Sequence, residues 1–575
     1  MVTAKRRWAL RDWLAAVALF ITTAAVVFWQ NAHVAVLWDL SYTLDTAARI
    51  AQGQFPYRDF PFAHAPLTFL IQAAVIRLTG RVFFHHIIYA VVVGGLGTVI
   101  TFRIVLHSLA GRVNAAWPVA LILAAPLSVL GIYCILPVPS YDCDCAFAVL
   151  VAIFLLQQLT PASGWLCGIA TGAALSLPLF FKQNIGLPFL AAASSIIALS
   201  LAAGLLKPPA INPWTRALLA VLTGVATTIL AAILLIHFTV GLGSYVYWTI
   251  QFAALRRLPG LQQMLGVYQN PQLLWTLPCI VAALFRLRSA ASKRRTAQVV
   301  SLSLLAAPFI YTLCTLLIYD DADERGDSLL ALWPLLLILA AAVSLWNLRN
   351  LRRSFSPFLP ILLLIAIHGT LMSQQLWGST YAIWPLLILL IAEMLAWVAE
   401  FQSPALDLQQ IAPALATVIA VTLLVCGSFY MASEERLSYA QLPAGPVQHS
   451  AFPELRGMSI AGQYLPDLDE LLRYADAHIP KSDGLLLIPG EDPFYFATGR
   501  TPQFPVLLLD PATDPLSPAQ VVEQTRQRNI RWLIVKRNLQ LTADPMPQRE
   551  ATLHLLMNQF APVAHLHAYD IYQSR

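Results

Sequence analysis

The chain has 575 residues, 58% of them hydrophobic and 11% charged, with a formal net charge of +6 and a mean hydropathy of +0.66. Soluble domains carry about 25% charged residues, so the composition excludes a soluble globular protein and indicates a polytopic α-helical membrane protein. It also excludes nucleic acid as a partner, since no basic stripe interleaved with aromatics occurs.

A membrane span needs roughly 20 apolar residues. That criterion predicts about thirteen spans, near residues 13–32, 84–108, 115–135, 143–159, 164–181, 186–204, 216–238, 272–286, 300–319, 330–346, 357–373, 380–398 and 411–431. The first follows Lys5, Arg6, Arg7 and Arg11 and lacks a clear small-residue cleavage site after it, so it reads as an uncleaved anchor. Residues 64–80 are apolar but short and end among Arg77 and Arg81. Treating them as interfacial puts the basic clusters Arg103/Arg112, Lys207/Arg216, Arg286 to Arg295 and Arg349/Arg352/Arg353 on the cytoplasmic side with the N-terminus. The C-terminal tail then lies outside the cytoplasm. The seven cysteines all lie in or near hydrophobic segments, and Cys143-x-Cys145 lacks the further ligands of a zinc site.

An external loop, residues 33–83, follows the first span. It holds Trp38-Asp39, Asp45, Gly53, Pro56-Tyr57-Arg58-Asp59 and His64-Ala65-Pro66. Ala47, Ala48, Ile50 and Ala51 predict a short helix along the membrane surface, ending at Gly53 as a C′ residue. Asp39 is either a cap for that helix or a functional carboxylate. Two Asp-x-Asp patterns, Asp142-Cys143-Asp144 and Asp321-Ala322-Asp323, make a divalent metal the one candidate cofactor. Hard cations need several oxygen ligands, however, and three residues do not supply them. The run Asp320 to Asp327 reads as a solvated loop. A second external loop, 239–271, combines Tyr245, Tyr247 and Trp248 with Arg256 and Arg257, while Gln375, Trp377, Ser379 and Tyr381 form another polar turn.

From about residue 435, charges return at ordinary density. A helix over Asp467 to His478, a strand Gly484 to Ile488, a helix Pro518 to Gln527, a strand Trp532 to Val535, a helix near 549–559 and an alternating segment Val563 to Tyr572 predict a small α/β domain. The expected division is a membrane domain, 1–434, and an extracytoplasmic α/β domain, 435–575.

The order of helix, Trp38-Asp39, amphipathic helix, Gly53, Pro56-Tyr57-Arg58-Asp59 and His64-Ala65-Pro66 resembles the first external loop of the GT-C-fold glycosyltransferases. It is most similar to the superfamily of protein O-mannosyltransferases and bacterial lipid A aminoarabinose transferases (family 39-like). Ser140-Tyr141-Asp142 and Phe181-Lys182-Gln183-Asn184 extend the resemblance to an aspartate at the start of a later span and a lysine after a glycine-rich helix. The resemblance implies a polyprenyl-phosphate-sugar donor, an acceptor outside the cytoplasm (lipid, glycan or protein), and a bacterial inner membrane. Two departures stand out. Leu40 follows Asp39 where the family often has Glu, and His64-Ala65-Pro66 corresponds loosely to a Glu-Lys-Pro of the aminoarabinose branch. Another cation must then hold the donor phosphate.

A polyprenyl phosphate is a stabilised leaving group, so the chemistry calls for a base to take the acceptor's proton and cations beside the phosphate. Asp39 is the expected base and Asp142 a second carboxylate for acceptor or sugar. Lys182, Arg256, Arg257 and Arg58 are the expected phosphate ligands, with Asp45, Asp59 and His64 among the substrate contacts. A competing class is a secondary transporter or flippase, which places ionisable residues in mid-membrane and often repeats its halves. Here nearly all charges lie at segment ends, with Glu393 the main exception, and no repeat is evident. A membrane scaffold whose tail binds envelope partners is a third class, one that would tolerate loss of Asp39.

Overall fold

Helices in the computed structural model fall where the apolar segments predict them, and they number well over a dozen among the described residues. The structure describes residues 8–31, 37–205, 214–257, 262, 265–288, 295–319, 329–347, 358–372, 382–400, 408–432, 445–509, 515–539 and 547–575. Among these, seven helices are long and apolar enough to cross a membrane, and seven more are apolar over 10–17 residues.

The first of the seven long helices is α1 (Leu10–Asn31). The juxtamembrane helix α2 spans Leu37–Ala51, longer than expected. Its Leu40, Leu44, Ala47 and Ala48 recur at helical spacing and are all buried. Backbone carbonyls at its C-terminus accept from Arg77, whose Nε reaches Ala51 at 2.9 Å, and Gly53 takes the positive φ (+99°) that turns the chain away. Arg77 lies in α3 (Leu67–Thr79). At about 1.5 Å per residue these 13 residues make a helix too short for a 30 Å hydrocarbon core, in keeping with the interfacial reading.

The helix α4 (Phe83–Leu109) packs on α1. The segment expected as one span at 115–135 is different. It forms α5 (Ala116–Ala124), a break before Pro126, and one turn, α6 (Leu127–Leu130). Residues 131–140 then run as irregular chain, every one of them buried. Gly131, Pro137 and Pro139 explain why a helix cannot continue. Non-helical backbone is tolerated at membrane depth where protein surrounds it.

Next come α7 (Tyr141–Gln158), α8 (Trp165–Phe181), α9 (Gln183–Leu205) and α10 (Thr215–Thr239). Glycines set the α8–α10 crossing: a Cβ on Gly172 would lie 2.1 Å from the Val221 carbonyl oxygen, and one on Gly224 2.3 Å from that of Ile169. Small residues let membrane helices approach this closely. Among the described residues six further long helices follow in the membrane part: Leu273–Arg288, Arg295–Ile318, Leu332–Asn347, Leu359–Leu371, Trp384–Glu400 and Leu408–Met431. Glu393, the mid-membrane carboxylate that most suggested transport, is ion-paired with Arg112 at 2.9 Å.

The tail opens with a two-stranded hairpin, β1 (Val447–His449) and β2 (Ser459–Ala461), followed by the helix Tyr464–His478. Its main sheet has the order β3-β4-β6-β5, with β3 (Gly484–Ile488) parallel to β4 (Ile530–Lys536). The strands β5 (Phe560–His565) and β6 (Tyr569–Ser574) form an antiparallel hairpin, where the sequence suggested one alternating segment. One face of this sheet packs an apolar cluster of its own, built on Leu486, Ile488, Leu533 and Val535. The other face, with Leu485, Leu487 and Ile534, belongs to a core continuous with the membrane helices.

Candidate active site

Lys182 is the one residue between α8 and α9, and its backbone is extended (φ −152°, ψ 110°). The α9 helix turns in so tightly behind it that a Cβ on Gly186 would lie 2.2 Å from the Leu179 nitrogen. This corner sends the lysine side chain inward, where its Nζ forms an ion pair with Asp142. Asp142 stands in the first turn of α7, and Ser140 caps that helix by accepting from the Asp142 amide at 3.2 Å. Both charged groups are buried, at 7% and 6% exposure, so each depends on the other to hold its charge.

Aromatic rings wall this pair. The Lys182 ammonium lies 5.4 Å from the centre of the Tyr141 ring, within cation–π range. His64 also packs on Tyr141, at 4.9 Å between ring centres. It also contacts Tyr42 and Phe62, each at 5.6 Å. Tyr42 belongs to α2, and Asp39 precedes it by three residues, hence on the same helix face. Asp39 is exposed within the first turn of α2, which begins two residues before it, so it does not cap the helix. A carboxylate there is favoured by the helix dipole. The chain of contacts Tyr42–His64–Tyr141–Lys182 thus links the α2 face bearing Asp39 to the buried pair.

The other expected residues lie elsewhere. Asp45, expected among the substrate contacts, is 4% exposed and faces the tail, accepting from the Phe496 amide at 2.7 Å and the Tyr495 amide at 3.2 Å. Burial pushes its carboxyl above the usual range, against the pull of those two amides. Arg58 and Asp59 pair with each other, at 2.9 Å and 3.0 Å, and Asp59 accepts from the Phe55 amide at 2.7 Å. The Arg58 hydrogen bonds hold the Asp59 carboxyl below its ordinary value. Arg58 also reaches the Thr239 carbonyl at 3.4 Å, so this turn braces the start of the loop 239–271. In that loop Arg256 and Arg257 end the short helix Ala253–Arg257, and their side chains lie outside the described residues. So do Asp320 to Asp327 and the turn holding Gln375, Trp377, Ser379 and Tyr381.

Residues the sequence did not single out complete the surroundings. Gln183 donates to the Thr249 carbonyl at 2.9 Å, inside the π-helical turn Tyr247–Phe252, which fastens the second loop beside Lys182. Farther along that loop Tyr268 hydrogen-bonds His368 Nε2 at 2.5 Å. The residue after His368, Gly369, touches Asn184 and Ile185.

Asp144 departs from the metal reading of Asp-x-Asp. It accepts from Thr68 at 2.7 Å, Tyr89 at 2.8 Å and Tyr133 at 2.6 Å. Two residues apart on a helix, Asp142 and Asp144 point to different sides, so they do not converge on one cation. Among the described residues no three His, Cys, Asp or Glu side chains group as metal ligands.

No family model matches the chain, and no curated protein does. Solved structures do. ArnT from Cupriavidus metallidurans bound to undecaprenyl phosphate aligns over 98% of both chains at TM-score 0.50 and 11% identity. The oligosaccharyltransferase AglB from Archaeoglobus fulgidus, in complex with an inhibitory peptide and a dolichol-phosphate, aligns over 92% of this chain and 70% of its own at TM-score 0.46 and 11% identity. At such identity the likeness bears on the fold alone, and the full-length match at 0.50 carries it. The chain is a multi-pass membrane protein with the GT-C fold.

Proposed function

We propose that the chain is an integral-membrane glycosyltransferase that takes a sugar from a polyprenyl-phosphate monosaccharide and passes it to a lipid, glycan or protein acceptor outside the cytoplasm. The observation that carries this reading is the buried Asp142–Lys182 pair, set beside Tyr141 and His64 and linked through Tyr42 to the helix of Asp39. A full-length GT-C fold supports it.

In this reading Asp39 takes the proton of the acceptor hydroxyl as that oxygen bonds to the anomeric carbon. The bond from that carbon to the phosphate oxygen breaks, and polyprenyl phosphate leaves with the electron pair. General base catalysis of this kind contributes about 10²–10⁴-fold. Lys182 is the cation for the departing phosphate and stabilises charge that grows as the bond breaks. Asp142 holds Lys182 in place and orients the sugar or acceptor. The membrane is the bacterial inner membrane, with the N-terminus cytoplasmic and the tail outside.

The test is transfer of label from a panel of radiolabelled polyprenyl-phosphate sugars, using protein reconstituted in lipid with a membrane extract as acceptor source. Transfer by wild type and not by Asp39→Asn is the expected result. Equal transfer by both removes Asp39 as the base.

A further inference from the structure

Beside the shared apolar core, several charged and polar side chains of the membrane part grip tail backbone. Asp45 holds the amides of Tyr495 and Phe496. Arg49, one turn further along α2, donates to the Pro505 carbonyl at 2.8 Å, and Gln52 to that of Gly499 at 3.1 Å. Arg81 donates to the carbonyls of Phe496 and Ala497, at 2.5 Å and 3.2 Å. These hydrogen bonds all fall on residues 495–505.

Just before that segment, Glu491 and Asp492 are buried with Lys536, at 0%, 3% and 4% exposure. The Lys536 ammonium is 2.7 Å from each carboxylate. Asp492 accepts in addition from Tyr464 at 2.7 Å and Tyr569 at 3.0 Å. Its donors therefore come from three elements of the tail: β4, the helix Tyr464–His478 and β6. Such a cluster does not add stability over an apolar core of the same volume, but it fixes one geometry for the turn it holds. Two residues separate Asp492 from Tyr495, and the amides of Tyr495 and Phe496 set the position of Asp45 on α2. Asp39 rides on the same 15-residue helix.

We infer that the tail is a positioning element for the transferase site: the Lys536–Glu491–Asp492 cluster fixes the turn whose amides hold Asp45, and this fixes α2 and the placement of Asp39. Asp45 and Lys536 are positioning residues, remote from substrate. The role given to Asp39 rests on the transferase reading, whereas the mechanical link does not.

The experiment compares full-length wild type, Asp45→Asn and the double variant K536M/E491Q in lipid nanodiscs. The double variant keeps the cluster's net charge while removing the tie between β4 and the turn. Hydrogen exchange of residues 37–51 reports on α2, and that of 489–497 on the turn. The expected result is exchange over 37–51 faster by about tenfold in both variants, with β4 and β6 unchanged in Asp45→Asn. Sugar transfer, normalised to the folded protein in each nanodisc sample so that loss of folded protein does not count, should show kcat reduced with the donor KM unchanged. Unchanged exchange over 37–51 in Asp45→Asn, or faster exchange there with unaltered kcat, overturns the inference. Should the double variant unfold the tail, Asp45→Asn decides alone. A wild type that transfers no sugar overturns the function proposed above, while the exchange data still decide whether the tail sets α2.

Discussion

Lys182 and Asp142 make the residue-scale case. Each is buried, so removing one partner leaves a charge without its counter-ion, whereas removing both leaves none. Lys182→Met and Asp142→Asn should each lower stability by about 3–5 kcal/mol, and the double variant K182M/D142N should be more stable than Lys182→Met. Thermal unfolding of the four proteins as a double-mutant cycle checks this. All three variants should lose sugar transfer; a stable double variant that still transfers would reduce the pair to a structural role. Lys182 entered the sequence reading through the resemblance, as a lysine after a glycine-bearing helix. Its pairing with Asp142 was not legible, since the two are 40 residues apart and only the α8–α9 corner brings them together. Asp45 shows the converse. The sequence placed it among polar loop residues, and nothing local reveals that its partners lie about 450 residues downstream.

At the scale of elements, Asp144 ties α3, α4, α7 and the buried chain 131–140 together through three hydroxyls. Asp144→Ala strands all three donors, each costing about 1–3 kcal/mol when buried without an acceptor. Its melting temperature should fall below that of Asp144→Asn, which keeps one acceptor oxygen. Folded Asp144→Asn should still bind donor, which native mass spectrometry would show, because Asp144 serves packing and not the substrate. Hydropathy located the helices well, since a bilayer imposes a length that sequence reports directly. It failed at 115–135, where the chain stays apolar while Pro126 and Gly131 stop the helix. Hydropathy senses burial in protein and burial in lipid alike, so it could not separate a span from a half-helix and a buried loop. The shortness of α3 was legible for the opposite reason, the early arginines that end its apolar run.

For the whole molecule, the tail is a sheet domain with one face closed on itself and one face continuous with the membrane core. Its alternation of helices and strands was readable from composition and periodicity, but its docking on α2 was not, because Asp45 and Arg49 hydrogen-bond to tail backbone. The buried cluster gives this part a pH dependence. Burial works against the Lys536 charge, but Asp492 and Glu491 outweigh it and raise its pKa. Burial also raises the phenols of Tyr464 and Tyr569. These groups keep their protons in the fold at pH values where the unfolded chain loses them. Their contribution is complete below about pH 10 and falls as pH rises beyond it. Proteolytic release of the tail should therefore be flat through neutral and mildly alkaline pH and rise steeply above that range; the variant K536M/E491Q should lose part of the steepness.

The most direct test of the account measures donor occupancy and label transfer in one sample of reconstituted protein, for wild type, Asp39→Asn and Lys182→Met. Wild type should hold a polyprenyl-phosphate sugar and transfer it. Asp39→Asn should hold it without transfer, and Lys182→Met should do neither. Transfer undiminished by Asp39→Asn, or occupancy undiminished by Lys182→Met, would contradict the site as assigned, and a wild type that neither holds nor transfers any such donor would contradict the function itself.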